Sequence, residues 1–297
     1  MNESRTAGNS SAFVILFLGV AAVSTGAILV KMCKLSPLTV GAYRMSIGLP
    51  LFWWWASRSE PAWWKKISRS DFLWINLSGL SLGLHFATWI ASLSYTSVTS
   101  SVVLVTTNPI FVAIGSVILL KEPVSKRLWL GTLGAFLGTV LVALGSPVGG
   151  GHAPQPWLGN GLALCGAIFM SAYLLIGRRL SEALPTACYV ASVYSSAALV
   201  LWTGVFLTAS PLAGFTNSQW IYLGLLALVP QGIGHTLLNN SLKKLSASIV
   251  AVAILAEPIF ATLLAIPVLG EVPTPLQLVG GLAVVLGVAL ATRGVKT

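Results

Sequence analysis

The sequence predicts an all-α membrane protein in which ten transmembrane helices form two inverted five-helix repeats. Hydrophobic residues occupy 56% of the 297 positions and charged residues only 8%, whereas about a quarter of a soluble domain is charged. Apolar runs of about 20 residues recur along the chain, and such runs must be helices because lipid offers the backbone no hydrogen-bond partner. One shift of 149 positions aligns the two halves of the sequence, which indicates an internal repeat.

The repeat is clearest at two proline-containing motifs. Residues 108–111 read Asn-Pro-Ile-Phe, and residues 257–260 read Glu-Pro-Ile-Phe. The flanking charges exchange ends between the copies, since Lys121 matches a glycine whereas Lys243 and Lys244 match uncharged residues. Cytoplasmic loops are rich in Lys and Arg, so the two copies are expected to cross the membrane in opposite directions.

The five spans of the first half cover residues 12–31, 37–56, 72–92, 97–120 and 128–146. The first is interpreted as a retained helix rather than a signal peptide, because its leader has only one basic residue and its apolar run is long. The second ends among tryptophans, as at a headgroup interface, and the third carries regularly spaced polar residues. Pro109 interrupts the fourth, and glycines line one face of the fifth.

The second half repeats this order at residues 157–176, 186–208, 219–240, 246–269 and 276–293. Pro258 interrupts the ninth span, and Gly280 and Gly287 give the tenth a small-residue face like that of the fifth. Such faces suit close packing within a monomer or in a homodimer, and both remain open. We place the first half at residues 1–147, a linker loop at 148–156 and the second half at 157–297.

The basic residues predict the orientation. With both termini in the cytoplasm, 14 of the 17 Lys and Arg residues lie on the cytoplasmic side, as the positive-inside rule requires. The net charge of +10 is then spread over short loops beside anionic lipid. We therefore expect the lipid bilayer, and no nucleic acid, as a partner.

Two helices carry polar residues at membrane depth on one face. In the third span these residues are Ser78, Ser81, His85, Thr88 and Ser92, with Trp89 beside them. In the eighth span they are Gln231, His235 and Asn239. Because polar groups avoid lipid, both faces are expected to meet in a polar cavity. The alternative is that they only hydrogen-bond between helices, and each histidine can equally be a core residue.

Two charged residues are expected well inside the spans. Arg44 could attract a substrate carboxylate, or it could snorkel outward or bind backbone carbonyls. Glu257 could carry a proton or bind an amine, or it could secure the helix that Pro258 breaks. In the first copy the neutral Asn108, before Pro109, takes the place of Glu257, which makes the predicted cavity asymmetric.

Enzymatic sites are not expected. The sequence has neither a Gly-x-x-x-x-Gly-Lys-Ser/Thr phosphate loop nor a His-Glu-x-x-His zinc motif. Glu257 has no second intramembrane carboxylate with which to perform proteolysis, and the three cysteines lack the spacing of a metal site. We therefore predict no metal and no cofactor.

These features resemble the EamA-type branch of the drug/metabolite transporter superfamily. The similarity lies in the two proline motifs, the Lys-Glu-Pro and Leu-Gly-Glu sequences that follow them, and the glycine-rich helix that ends each half. Within the branch, the chain is most similar to the bacterial aromatic amino acid exporters. The resemblance implies ten helices around a substrate cavity and export to the periplasm by alternating access. It also implies that Arg44 and Glu257 match the family's basic and acidic positions.

The sequence therefore predicts a bacterial inner-membrane exporter of amino acids, aromatic or apolar ones in particular, or of related small metabolites. Trp89, Tyr173 and Tyr194 would offer flat surfaces to an aromatic side chain, and the proline-broken helices would flex. Two alternatives stay open. One is a transporter of another cargo, such as drugs or nucleotide-linked sugars, and the other is a membrane scaffold or receptor without a transport cycle.

Overall fold

The protein is an all-α membrane protein. The computed structural model describes residues 3–96, 101, 104–145, 155–257, 259–260, 263–264 and 273–293, which contain no β-strand. Helix occurs in each of the ten predicted spans, and five of the described helices are long and apolar enough to cross a membrane. Pro258 and most of the predicted linker lie outside the described residues.

The first five spans contain the following helices. The first span consists of Glu3–Val23 and Gly26–Cys33, the second of Pro37–Ser46 and Leu49–Ser59, and the third of Arg69–Tyr95. A 3-10 turn at Trp63–Lys66 connects the second to the third. The described part of the fourth contains Asn108–Gly115 and a π-helical turn at Ser116–Leu120, and the fifth is Lys126–Gly145.

The second five spans show the same order. The sixth is Pro156–Leu180 and the seventh is Thr186–Leu207. The eighth consists of Asn217–Leu226, a π-helical segment Ala227–His235 and Thr236–Ser241. The described part of the ninth contains Ala247–Ile254, and the tenth is Pro275–Thr292.

Local sequence determines where several of these helices begin. Ser68 Oγ accepts a hydrogen bond of 3.0 Å from the backbone N–H of Asp71 at the start of the third span. Thr216 and Thr274 form capping boxes with the glutamines three residues later. These bonds satisfy N–H groups that the first turn of a helix leaves unpaired, so the helix starts are fixed close to the ends of the apolar runs.

The helix contacts follow the repeat. The third span packs on the sixth and on the seventh. Its repeat equivalent, the eighth span, packs in the same way on the first and on the second. The fourth span also packs on the sixth as the ninth packs on the first, and the second packs on the third as the seventh packs on the eighth. Three further contacts join repeat equivalents, namely second with seventh, fourth with ninth and fifth with tenth. The described packing is therefore preserved when the two halves exchange places.

The fifth and tenth helices cross at their glycines. A Cβ atom on Gly138 would lie 2.6 Å from the backbone nitrogen of Val284, and one on Gly287 would lie 2.4 Å from that of Ala135. Gly131 and Gly280 are equally close to the opposite backbone. No side chain fits at these four positions without a shift of the helices. The predicted small-residue faces thus pack against each other within one chain.

The first and eighth spans are interrupted where they meet. Pro230 lacks a backbone N–H, so the eighth helix cannot keep regular bonding and widens into the π-helical segment. The first span breaks at Ser24 and Thr25, whose hydroxyls donate to backbone carbonyls of the preceding turn. The two interruptions touch, since a Cβ atom on Gly26 would lie 3.7 Å from Pro230 Cβ. The sequence analysis did not predict either break.

Candidate functional site

A cavity lies between the two halves of the bundle, and we call it the central cavity. It has a volume of ≈ 60 Å³ and receives side chains from the first, second, third, fourth, sixth, eighth and ninth spans. Its lining residues are Val23, Arg44, His85, Phe86, Trp89, Val105, Thr106, Asn108, Met170, His235, Leu238, Ile254 and Glu257. Ligand sites for small molecules usually enclose about 300–1,000 Å³, so this cavity holds only a few water molecules.

Several lining residues of the central cavity occupy equivalent positions in the two repeats. The shift of 149 positions relates four pairs of lining residues, which are Phe86 with His235, Trp89 with Leu238, Val105 with Ile254 and Asn108 with Glu257. Each half therefore contributes the same four positions, and the two halves fill them with different chemistry. Arg44 adds to this asymmetry, because its repeat equivalent is Val193.

Arg44 is held by the eighth span and by the third. It is only 2% exposed, and it lies near the end of the Pro37–Ser46 helix, close to the π-helical segment. Its Nε donates a hydrogen bond of 3.1 Å to Gln231 Oε1. Its guanidinium carbon lies 4.2 Å from the centre of the Phe86 ring, which is the distance of a cation–π contact. These contacts keep the guanidinium at the cavity instead of letting it reach a lipid headgroup.

Glu257 brings the opposite charge to the same cavity. It follows a turn at Leu255 and Ala256 in the ninth span, and its side chain is partly buried. Within the described part of the chain, the Glu257 carboxylate and the Arg44 guanidinium form no ion pair at 4.0 Å or less. Both charges therefore line the cavity without a direct contact between them.

Aromatic and imidazole rings form one wall of the cavity. The His85 ring is parallel to the Trp89 ring, with an interplanar angle of 2° and 6.0 Å between centroids. His235 meets the edge of Phe86 at 5.4 Å. His85 Nδ1 lies 2.9 Å from the carbonyl oxygen of Gly166, and since this oxygen only accepts, Nδ1 carries a hydrogen. The third span is thereby tied to the sixth, and the flat face of the wall is fixed.

Several polar atoms at and beside the cavity have no partner. Among the described residues, the buried atoms Trp89 Nε1, Asn108 Nδ2 and His235 Nδ1 make no hydrogen bond, and neither do Gln231 Nε2 and Asn239 Oδ1. A buried donor or acceptor without a partner costs about 1–3 kcal/mol. Such a concentration of unpaired groups is expected where a ligand or water supplies the missing partners.

The structure brings part of the predicted site residues to the cavity. Arg44, His85, Trp89, Asn108, His235 and Glu257 line it. Pro109 is buried at the start of the Asn108–Gly115 helix, so the backbone turns before that helix begins. Pro258 belongs to the residues that the structure does not describe.

The other predicted residues pack behind the lining. Ser81 and Thr88 donate to carbonyl oxygens of their own helix, at 2.8 Å and 2.7 Å, and not to a neighbouring helix. Tyr173 accepts a hydrogen bond from Asn239, and Tyr194 lies 3.4 Å from Thr236 Oγ1. The two tyrosines are fully buried.

Phe86 is the most important lining residue that the sequence analysis missed. It contacts Arg44 on one side and His235 on the other. An apolar residue in a membrane helix carries no signal of its own. The internal repeat did contain a signal, however, because the shift of 149 positions pairs Phe86 with His235.

Polar contacts join helices at the end of the bundle where the fourth span ends and the seventh begins. Arg178 Nε donates to Glu122 Oε1 at 2.8 Å, and its Nη1 donates to the carbonyl oxygen of Leu242 at 2.8 Å. Ser78 and Tyr189 share a buried hydrogen bond of 2.7 Å. The bonds from Arg178 to Glu122 and between Ser78 and Tyr189 join the two halves, and the bond to Leu242 joins the sixth span to the eighth.

The central cavity combines charged, hydrogen-bonding and aromatic groups. Over the described residues, no group of three or more His, Cys, Asp or Glu side chains is arranged to hold a metal ion. The arrangement instead offers hydrogen-bond donors and a positive charge from Arg44, a negative charge from Glu257 and flat apolar rings between them. It is suited to binding a small molecule with both polar and apolar parts.

Comparison with known families gives a match over both halves of the chain. The model of the EamA-like transporter family matches residues 10–144 and again residues 157–293. A solved crystal structure with 22% identity covers 95% of this chain and 96% of its own, with a TM-score of 0.81. At this identity the likeness shows the fold.

Curated relatives are named as transporters. An uncharacterized transporter from Archaeoglobus fulgidus is 24% identical over 273 residues, which cover 87% of this chain and 89% of that protein. A probable terminal-alkyne amino-acid exporter from Streptantibioticus cattleyicolor is 29% identical over 199 residues, covering 64% of this chain and 62% of that protein.

Proposed function

We propose a substrate and a direction for this chain, which belongs to the EamA-like transporter family and is a multi-pass membrane transporter. It exports amino acids, aromatic or apolar ones in particular, or related small metabolites. Export runs from the cytoplasm across the inner membrane of a bacterium, with both chain termini on the cytoplasmic side. The distribution of Lys and Arg supports this orientation.

One observation carries the substrate proposal. Arg44 and Glu257 bring opposite charges to one cavity and, in the described structure, do not pair with each other. An amino acid carries a carboxylate and an ammonium group on one carbon, so it can satisfy both residues at once. Asn108 Nδ2 and Trp89 Nε1 supply further donors that need an acceptor, and a carboxylate accepts several hydrogen bonds.

The apolar wall supports the preference for aromatic or apolar side chains. Phe86, Trp89, Met170 and Ile254 line the cavity beside the two charges. An aromatic side chain can stack on Trp89 or meet the edge of Phe86, contacts that are each worth about 0.5–1.5 kcal/mol beyond burial. The exporter from Streptantibioticus cattleyicolor, whose name specifies an amino acid, fits the same chemistry.

The size of the cavity supports transport by alternating access. A volume of ≈ 60 Å³ is too small for an aromatic amino acid, and the bond between Arg178 and Glu122 holds the fourth and sixth spans together at one end. The helices must therefore separate on one side to admit the substrate and on the other to release it. The interrupted first and eighth spans contribute positions at which such a movement can occur.

Efflux from vesicles tests the proposal. The purified full-length protein is reconstituted with labelled phenylalanine inside, and external phenylalanine, phenethylamine and 3-phenylpropionate are compared as competitors. We expect wild-type efflux to be inhibited best by phenylalanine, which carries both charges. Arg44→Gln should lower efflux at least about tenfold because a buried charged hydrogen bond is lost, and Glu257→Gln should weaken discrimination against 3-phenylpropionate.

Matched variants control for charge alone. Arg127→Gln and Glu182→Gln remove one charge each at exposed positions outside the central cavity, and efflux should stay at the wild-type level. Absence of efflux for every amino acid, together with clear movement of organic cations or sugar nucleotides, would reject the amino-acid proposal. Absence of any movement would favour a scaffold or receptor.

A further inference from the structure

A second pocket lies on the outer surface of the bundle, and we call it the lateral groove. It has a volume of ≈ 570 Å³ and lies between the second, third and seventh spans. Its lining residues are Trp53, Trp63, Trp64, Ile67, Ser68, Arg69, Phe72, Ile75, Asn76, Ser192, Ser195, Ser196 and Leu199. The two pockets have no lining residue in common, so the lateral groove is separate from the central cavity.

Helix packing explains the shape of the lateral groove. The third and seventh helices are in close contact at Gly79, where an added Cβ atom would lie 2.4 Å from Ser196 Cβ. Toward the Trp63–Lys66 turn, the space between the helices is open. Phe72 and Leu199 are 63% and 70% exposed at its edge. In a membrane these side chains face lipid, so the groove admits a molecule that arrives from within the bilayer.

The inner wall of the groove carries a donor without a partner. Trp63 is only 2% exposed, and its indole Nε1 forms no hydrogen bond to any described residue. The neighbouring Trp53 shows the contrast, since its Nε1 donates to Ser195 Oγ at 3.0 Å. An oxygen of a bound molecule would satisfy Trp63 and remove the cost of the unpaired donor.

The mouth of the groove is basic. Arg69 lines the groove, and Lys65 follows the lining residue Trp64 in the Trp63–Lys66 turn. Neither forms an ion pair among the described side chains, whereas Lys66 is paired with Glu60. Asp71 is also near, and its carboxylate accepts a hydrogen bond of 2.7 Å from Ser68. Ser68 already caps the start of the third helix, so the positive charge at the mouth comes from the side chains. A phosphate group at the mouth would meet these positive groups.

We propose that the lateral groove binds an anionic phospholipid of the membrane. The phosphate lies at Arg69 and Lys65, a headgroup or ester oxygen accepts from Trp63, and an acyl chain follows Phe72, Ile75 and Leu199 along the groove. The basic residues mark this end of the bundle as cytoplasmic, and the cytoplasmic leaflet is the one in which anionic lipids attract Lys and Arg.

Lipid binding to the purified full-length protein in detergent tests the proposal. Phosphatidylglycerol and phosphatidylcholine with identical acyl chains are titrated separately, and bound lipid is counted by native mass spectrometry. We expect phosphatidylglycerol to bind at least about fivefold more tightly. Arg69→Gln and Trp63→Phe should each weaken its binding about fivefold or more, because each removes a hydrogen bond to the lipid.

Two control variants carry the same chemical changes elsewhere. Arg127→Gln alters an exposed arginine outside the groove, and Trp157→Phe alters a tryptophan that is 90% exposed, so lipid binding should be unchanged in both. Equal affinity for the two lipids, or wild-type binding by Arg69→Gln, would overturn the proposal. Displacement of the lipid by phenylalanine would also overturn it, because the groove would then belong to the transport path. Arg69 is exposed, so this variant decides the question even if Trp63→Phe does not fold.

Discussion

Replacing Gly138 by alanine is expected to force apart the fifth and tenth helices. The added Cβ atom would lie 2.6 Å from the backbone nitrogen of Val284 and 2.7 Å from the carbonyl oxygen of Gly280. Backbone atoms cannot rotate away as a side chain can. Since ordinary van der Waals contact begins at 3.4 Å, the helices must separate by about 0.8 Å at this crossing.

The free-energy cost of separating the helices is partly offset, because alanine favours the helix more than glycine does. Overpacking of this kind costs about 1–3 kcal/mol, and replacing glycine inside a helix returns about 0.5–1 kcal/mol. Each kcal/mol shifts the melting temperature of a protein of this size by roughly 2–4 °C. We therefore expect Gly138→Ala to lower the melting temperature by several degrees.

Gly134 is the matched control on the same helix. A Cβ atom there would come no closer than 3.8 Å, to Gly287 Cα, so Gly134→Ala should keep or slightly raise the melting temperature. The measurement is thermal unfolding of the purified variants in detergent, followed by the loss of the monodisperse peak. Equal destabilisation by the two variants would refute the reasoning, because of these two glycines only Gly138 is in close contact with the opposite backbone.

Three further predictions concern other contacts. Gln231→Leu should raise KM for phenylalanine about tenfold, since Arg44 loses a buried acceptor, whereas Gln231→Asn keeps a neutral amide acceptor and should raise KM less; wild-type KM in Gln231→Leu would count against a positioning role. Glu122→Gln should increase thiol labelling of Cys188 several-fold, because the partly exposed ion pair with Arg178 contributes about 1 kcal/mol to the contact between the fourth and sixth spans; Glu182→Gln, at an exposed position, should leave labelling unchanged. Lys121→Gly should raise the melting temperature by a few degrees, since Lys121 has a φ of 56° and the left-handed region costs about 1–2 kcal/mol for a residue with a Cβ; Lys126→Gly, in a regular helix, should lower it.

Composition and apolar run length predicted most of the fold. The predicted third, seventh and tenth spans start and end within three residues of the helices Arg69–Tyr95, Thr186–Leu207 and Pro275–Thr292. Length works because the thickness of the bilayer fixes how many apolar residues a helix needs. The interruption at Pro230 was predictable, because a proline inside a span removes a helical hydrogen bond. The interruption at Ser24 and Thr25 carries no such signal, since serine and threonine are common inside membrane helices.

The candidate site was predictable where charge is concerned. Charged and polar residues at membrane depth are costly, so Arg44, Glu257 and His235 stand out in the sequence, and the structure places all three at the central cavity. Phe86 and Tyr173 show the limit of this reasoning. Whether an aromatic residue of a membrane helix faces a cavity or a neighbouring helix depends on the rotation of that helix, which apolar periodicity does not determine.

The contact pattern that survives exchange of the halves has a mechanical consequence. If each half adopted the shape that the other now has, the same fold would present its cavity to the opposite side of the membrane. The exchange cannot be complete at one pair of equivalent positions, because the third helix has Ser81 where the eighth has Pro230. Ser81 keeps its backbone N–H and Pro230 has none. In such an exchange the eighth helix would keep its irregular bonding at Pro230, whereas the third helix, which has a backbone N–H at Ser81, could be regular in either shape.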